Sequence, residues 1–164
     1  FAHLVKEVLS ETGLAAERLE VEVTESLFIQ DLATAKMTLR EIKELGVSVA
    51  IDDFGTGYSS LSTLRAFPFD RIKVDRSFVS DMINNKDAAA IVNSVIGLGR
   101  AMGLRVVAEG VESDEQVAML RLLRCHELQG YLFGKPMPID AYAHLTGPKH
   151  PRTYSSALPR LREI

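Results

Sequence analysis

The chain has 164 residues, 46% apolar and 25% charged, the composition of one globular domain with a sizeable core. A net charge of −3 and a pI near 5.8 argue against a general binder of nucleic-acid polymers or of anionic membranes, which need a basic field, but leave room for a small phosphate ligand. The single cysteine, Cys125, excludes an internal disulfide framework and fits a reducing, cytoplasmic compartment, and no apolar run nears the ~20 residues of a membrane span.

The chain opens at Phe1 with no signal-peptide pattern and runs straight into helical spacing, so it reads as a piece of something longer. Leu4, Val5, Val8 and Leu9 predict a helix over His3 to Thr12, stopped by Gly13. LEVEVT at 19–24 alternates strictly and predicts a strand. Asp31 caps a helix to Leu45 that turns Leu32, Ala35, Leu39 and Ile42 inward, and Gly46 ends it. A strand follows over Val47 to Asp52, then a short helix from about Ser59 to Ala66. Arg71 to Asp75 predicts a strand, and Ala88 to Met102 a helix carrying Ile91, Val92, Val95 and Ile96. Arg105 to Gly110 is a further strand, and Ser113 to Gln116 a capping box that opens a helix to about Arg124. Leu128 to Phe133 is the last strand and Ala141 to Leu145 a last short helix. One domain is expected over 1–146, with 147–164, rich in proline and scattered charge, as a poorly ordered tail or linker.

Alternating helices and strands with short connections mean an α/β fold with parallel strands and crossover helices. An open doubly wound sheet and a (β/α)8 barrel both fit. One strand face favours the barrel. It carries Glu20 and Glu22, then Asp52, then Arg71, Lys73 and Asp75, then Arg105 and Glu109, then Gln129. The other face carries Val21, Val23, Val49, Ile51, Ile72, Val74, Val106 and Ala108. A strand covered by helices on both sides should be apolar on both. A barrel lumen with a site at its carboxyl-end mouth explains a polar inner face.

The chemistry concentrates at that mouth. Asp52 and Asp53 are adjacent, and a like-charge pair at ~4 Å costs about 4 kcal/mol at an effective dielectric near 20. With Glu22, Glu25, Asp75, Glu109 and Glu112 they outnumber the one lysine, Lys73, and call for cations. Oxygen ligands without cysteine suit a hard divalent ion, Mg2+ or Mn2+. His3, His126, His144 and His150 fall at no ligand spacing, which argues against zinc. Hard metals, acids and one lysine suit metal-assisted hydrolysis of a phosphate ester. Gly55 and Gly57 serve a tight turn at least as well as a phosphate cradle. Cys125 is expected as a small buried apolar residue, and Phe67, Phe69, Phe78 and Phe133 as core.

Glu22-Val-Thr-Glu25, Asp52-Asp53-Phe-Gly-Thr-Gly57, Ile-Lys73-Val-Asp75, Ala-Glu109-Gly-Val-Glu112 and Gln129-Gly-Tyr131 through Pro136 follow one another in order. This series closely resembles the EAL domain, the bacterial phosphodiesterase that linearises cyclic di-GMP, from about Phe1 to Leu145. The resemblance implies a modified (β/α)8 barrel of which the chain carries the last five strands. It implies Glu22 and Asp52 as ligands of one metal, Asp53 as ligand of a second with Asp52 bridging, and Glu109 as a further acid at metal and water. It implies Lys73 at the nucleophilic water or scissile phosphate, Asp75 and Gln129 as supports of the metal shell and water, and Glu25 as the anchor of the loop Asp53 to Ser60. Tyr131 and Pro136 match positions that hold the guanine end, with Gln129 beside them. It also implies a homodimer and fusion to sensory or GGDEF domains.

The family's Glu-Ala-Leu segment and its asparagine strand are absent from these residues, and a full barrel needs ~250. The expectation is therefore weak or no hydrolysis by this stretch alone, and self-association through open strand edges. A non-catalytic cyclic di-GMP receptor, and a Mg2+-dependent barrel enzyme for another phosphorylated small molecule, are the competing functions.

Overall fold

The alternation of elements produces a five-stranded parallel sheet in the order β1-β2-β3-β4-β5, every strand beside its sequence neighbour. The structure is a computed structural model and describes residues 1–24, 31–55 and 61–142. α1 is Ala2–Thr12 and β1 Glu20–Thr24; α2, Leu32–Glu44, is capped by Asp31, which accepts from the amides of Ala33 and Thr34. β2 is Ser48–Phe54, α3 Leu61–Ala66, β3 Arg71–Val74 and α4 Arg76–Asp81. α5, Lys86–Met102, leads to β4, Arg105–Ala108; α6, Asp114–Leu122, leads to β5, Glu127–Leu128. Phe1–Gly134 and Lys135–Ile164 are separate units. In the second, a 3-10 turn at Ile139–Tyr142 holds the Tyr142 hydroxyl against the Lys135 carbonyl at 3.0 Å. The expected boundary at 146/147, the tail after it and residues 143–145 of the expected last helix lie outside the described residues.

The expected division of strand faces holds. Val49, Ile51, Ile72, Val74, Val106 and Ala108 are buried with Leu39 and Ile42 of α2, Val92 and Ile96 of α5 and Leu120 of α6. Each fully buried aliphatic side chain of this kind contributes about 1.5–3 kcal/mol. At the amino ends of the strands, Asp70 braces the layers. Its carboxylate accepts from Lys43 at 2.7 Å and from the Val49 amide at 2.8 Å, and its carbonyl accepts from the Arg105 amide at 2.9 Å.

Several expectations are corrected. α4 was not foreseen; its signal is Asp75, whose side chain caps it through the Ser77 amide at 3.0 Å. β5 ends at Leu128, because the chain then turns: Phe133 donates to the Gly130 carbonyl at 3.1 Å and leaves the ladder. Phe133 is consequently exposed and Phe78 half-buried, whereas Phe67 and Phe69 are core. Leu4, Val8, Leu32 and Ile91 sit on the exposed flanks of their helices, since each inward stripe is narrower than spacing suggested. Ala141 and Tyr142, the described residues of the expected last helix, belong to a 3-10 turn that starts at Ile139. Cys125 is half-buried, and its thiol donates toward the carbonyls of Val106 and Glu127, which gives it partners an apolar residue would not need.

α5 crosses the sheet so closely at Gly99 that a Cβ there would lie 2.3 Å from Val106 Cγ2. Gly99→Ala is expected to lose about 1–3 kcal/mol through overpacking, despite its better helix propensity. Urea unfolding checks this, and an unchanged midpoint would contradict the tight crossing.

Candidate functional site

The inner face of the sheet is built in layers. Lowest, Arg71 reaches Glu20 at 2.9 Å and Glu127 at 3.4 Å, and Arg105 meets Glu127 at 2.9 Å. One pleat higher toward the carboxyl ends, Lys73 lies 2.7 Å from Glu22, 3.2 Å from Asp52 and 2.8 Å from Glu109. These acids come from β1, β2 and the residue after β4, so Lys73 ties together the inner faces of three strands. It is 5% exposed, and the alternation of β3 is what aims it inward between Ile72 and Val74. Burial works to discharge its ammonium. Hydrogen bonds to Glu109 and Glu22, with the charges of Glu109 and Asp52, outweigh that and hold its pKa above the ordinary lysine value.

Above this layer, carboxylate oxygens of Asp52, Asp53 and Glu109 lie within 4.8 Å of one another. An unbroken strand would aim Asp52 and Asp53 to opposite faces. Here the β2–β3 register shifts between Ile51 and Phe54, and Asp53 adopts a left-handed φ of 52°. Aspartate tolerates that conformation better than most residues, and the bend returns its carboxylate to the side of Asp52. The Asp53 amide donates to Asp52 Oδ1 at 3.0 Å.

The acids repel, and their pKa values show it. Burial pushes Asp53 up, and the charges of Asp52 and Asp75 add to it. Burial also pushes Glu109 up, more than Lys73 pulls it down. Burial works in the same direction on Asp75, but hydrogen bonds from the hydroxyl and amide of Ser77, from the Arg76 amide and from Asp53 hold it below the ordinary range. Asp53 and Asp75 thus shift in opposite directions as a coupled pair. Three hard oxygen donors held close together in an electronegative spot fit a hard divalent cation.

Beside the cluster is a cavity of about 230 Å3, lined by Asp53, Asp75, Glu109 and Gln129, with Arg76, Glu112 and Tyr131 around them. Gln116 fixes its wall. Buried, it accepts from the amides of Glu112 and Ser113 at 2.7 and 3.0 Å and donates to the Val79 carbonyl at 3.2 Å, joining α6 to α4. Its spacing in the capping box was visible in the sequence, but its bracing of the loop Glu109 to Glu112 was not.

Of the sequence-predicted site residues, the structure brings together Glu22, Asp52, Asp53, Lys73, Asp75 and Glu109, with Gln129 and Tyr131 at the adjoining cavity. Pro136 belongs to the second unit, and Glu25, with residues 56–60 of the expected switch loop, lies outside the described residues. Arg76, which directly follows the strand-end Asp75, belongs to no motif or period of the sequence that could mark it.

Residues 1–136 match the family model described as EAL domain. The cyclic di-GMP phosphodiesterase NbdA of Pseudomonas aeruginosa is 46% identical over 137 residues, which are 84% of this chain and 18% of that protein. The solved cyclic di-GMP complex of the phosphodiesterase MucR, also of P. aeruginosa, matches with a TM-score of 0.81 and 41% identity, over 85% of this chain and 56% of that one. BlrP1 of Klebsiella pneumoniae, solved with manganese and cyclic di-GMP, matches with a TM-score of 0.76 and 37% identity, over 82% and 34%. The chain spans from 17% of one curated relative to 23% of another, and about half of the solved MucR chain.

A carboxyl whose folded pKa is raised contributes stability that is fully present below its unfolded value of about 3.9 and is lost as pH rises through the folded value. Asp53→Asn is therefore expected to raise the Tm of the metal-free protein at neutral pH, less so near pH 4, and to remove the further rise that Mg2+ or Mn2+ gives the wild type. Differential scanning fluorimetry with and without metal checks both; a variant stabilised by metal as strongly as the wild type would contradict the cluster's assignment.

Proposed function

From the premise that the chain belongs to the EAL domain family, its five-stranded parallel sheet matching part of that family's barrel, we propose that it serves the hydrolysis of cyclic di-GMP to the linear dinucleotide pGpG in bacterial second-messenger signalling. The observation that carries this reading is the meeting of Asp52, Asp53 and Glu109 within 4.8 Å, beside a buried lysine. NbdA and MucR, phosphodiesterases of this dinucleotide, support the substrate.

Asp52, Asp53 and Glu109 would hold Mg2+ or Mn2+, with Glu22 on the same inner face. The divalent cation, when bound, supplies an activated water and neutralises charge that develops on the phosphate. The remaining chemistry belongs to side chains. Lys73 stays charged across the neutral range, so it acts as a hydrogen-bond donor and point charge toward a phosphodiester oxygen, and not as a base. Asp75, itself held by Ser77, fixes the Asp53 carboxylate. Gln129 offers a neutral polar group to the water or substrate. Tyr131 presents a half-open ring on which a guanine can stack, and Pro136 is assigned to the same end of the ligand. Glu25 is assigned to anchoring the loop that follows Asp53.

The working protein is proposed to be a cytoplasmic homodimer joined to a sensory or GGDEF domain. Among the described residues no helix is long and apolar enough to cross a membrane.

Asp52→Asn in the intact protein is expected to lower turnover of cyclic di-GMP by about a hundredfold or more while the circular dichroism spectrum stays that of the wild type. Chromatographic detection of pGpG checks it, and activity at the wild-type level would sink the assignment.

A further inference from the structure

We infer that Arg76 binds the phosphodiester of the cyclic dinucleotide that is not cut, an inference that rests on the functional reading above. Such a ligand carries two phosphodiester anions on opposite edges of one ring. The one that reacts must lie at Lys73 and the carboxylate cluster. The other is assigned to the adjoining cavity, whose ionisable lining is acidic at Asp53, Asp75, Glu109 and Glu112. An anion placed there without a counter-charge would meet four carboxylates.

Among the described residues, the cations of the inner face are already engaged. Lys73 contacts three acids, and Arg71 and Arg105 are paired in the layer below. Arg76 is different. It lines the cavity, is exposed, and its guanidinium makes no ion pair with any described residue. Its stem is nevertheless held. Gly110 has a φ of +68°, and a Cβ at Gly110 would lie 2.5 Å from Arg76 Cβ, so the backbone after β4 packs directly on this side chain. The arginine therefore starts from a fixed base on the cavity's lining. Its planar fork suits two oxygens of one phosphodiester, which a lysine there would meet only as a point charge.

The experiment compares wild type, Arg76→Ala and Arg76→Lys of the intact protein with Mg2+, reading the half-saturating concentration of cyclic di-GMP and of cyclic di-AMP at several salt concentrations. Arg76→Ala is expected to raise that concentration by roughly tenfold or more, by the same factor for both dinucleotides, and to flatten its salt dependence. Arg76→Lys is expected to recover part of the loss, and Tm to stay near the wild-type value in both variants. An Arg76→Ala protein that saturates like the wild type overturns the inference, as does a loss confined to cyclic di-GMP, which would place the arginine on guanine. A wild type that neither binds nor cleaves cyclic di-GMP overturns the functional reading and this inference with it.

Discussion

A buried ammonium among three carboxylates is the constraint on which the rest of the sheet depends. Lys73 meets Glu22, Asp52 and Glu109 within 3.2 Å, and each acid comes from a different strand neighbourhood. The pairing works only if β3 lies inside the sheet, flanked by β2 and β4, with β1 one strand further. Removing Lys73 is expected to cost about 3–5 kcal/mol, because its carboxylate partners are left facing one another without a counter-charge. The apolar outer face drives the sheet against its helices. The inner charges then fix which residues stand level with one another.

The same constraint explains why the site is costly. Below Lys73, the charges of Glu20, Arg71, Glu127 and Arg105 balance two against two. Above it they do not. Asp52, Asp53, Asp75 and Glu109 crowd one lysine, burial and repulsion raise Asp53 and Glu109, and Asp53 sits in a left-handed backbone conformation. Strain and repulsion gathered at one end of a sheet whose lower layer is paired charge for charge fit the proposed cation and anionic ligand. The proposed hydrolysis would give that place a chemistry, and the excess of acid is the reason that chemistry would need metal.

Much of this was legible before any coordinates. Strict alternation in LEVEVT and RIKVD placed Glu22 and Lys73 on one face, and the structure keeps them there at 2.7 Å. The helices followed from Asp31 and Ser113 as caps and from apolar spacing, whereas the cap at Asn85, which starts α5 at Lys86, was not read. What escaped was everything that breaks the period. Asp52 and Asp53 were expected together, but the register shift that brings them to one side breaks the alternation and was not. β5 stops after two residues because the chain turns back at Gly130, although the apolar residues beyond it read as a strand. Leu4 and Val8 obey helical spacing yet remain exposed, since spacing gives a stripe but not the width of what covers it. Arg76 has no pattern at all; its place is set by a glycine on a different strand's loop.

The most direct test is the titration of Lys73 itself. With lysine Nζ labelled with 15N, the signal lost in Lys73→Met identifies the residue, and its charge can be followed from neutral pH into the alkaline range in metal-free protein. The ammonium is predicted to remain protonated past the ordinary value of 10.5, because its three carboxylate partners outweigh its burial. A Lys73 that releases its proton at or below that value would mean that Glu22, Asp52 and Glu109 do not converge on it, and the site described here would not exist.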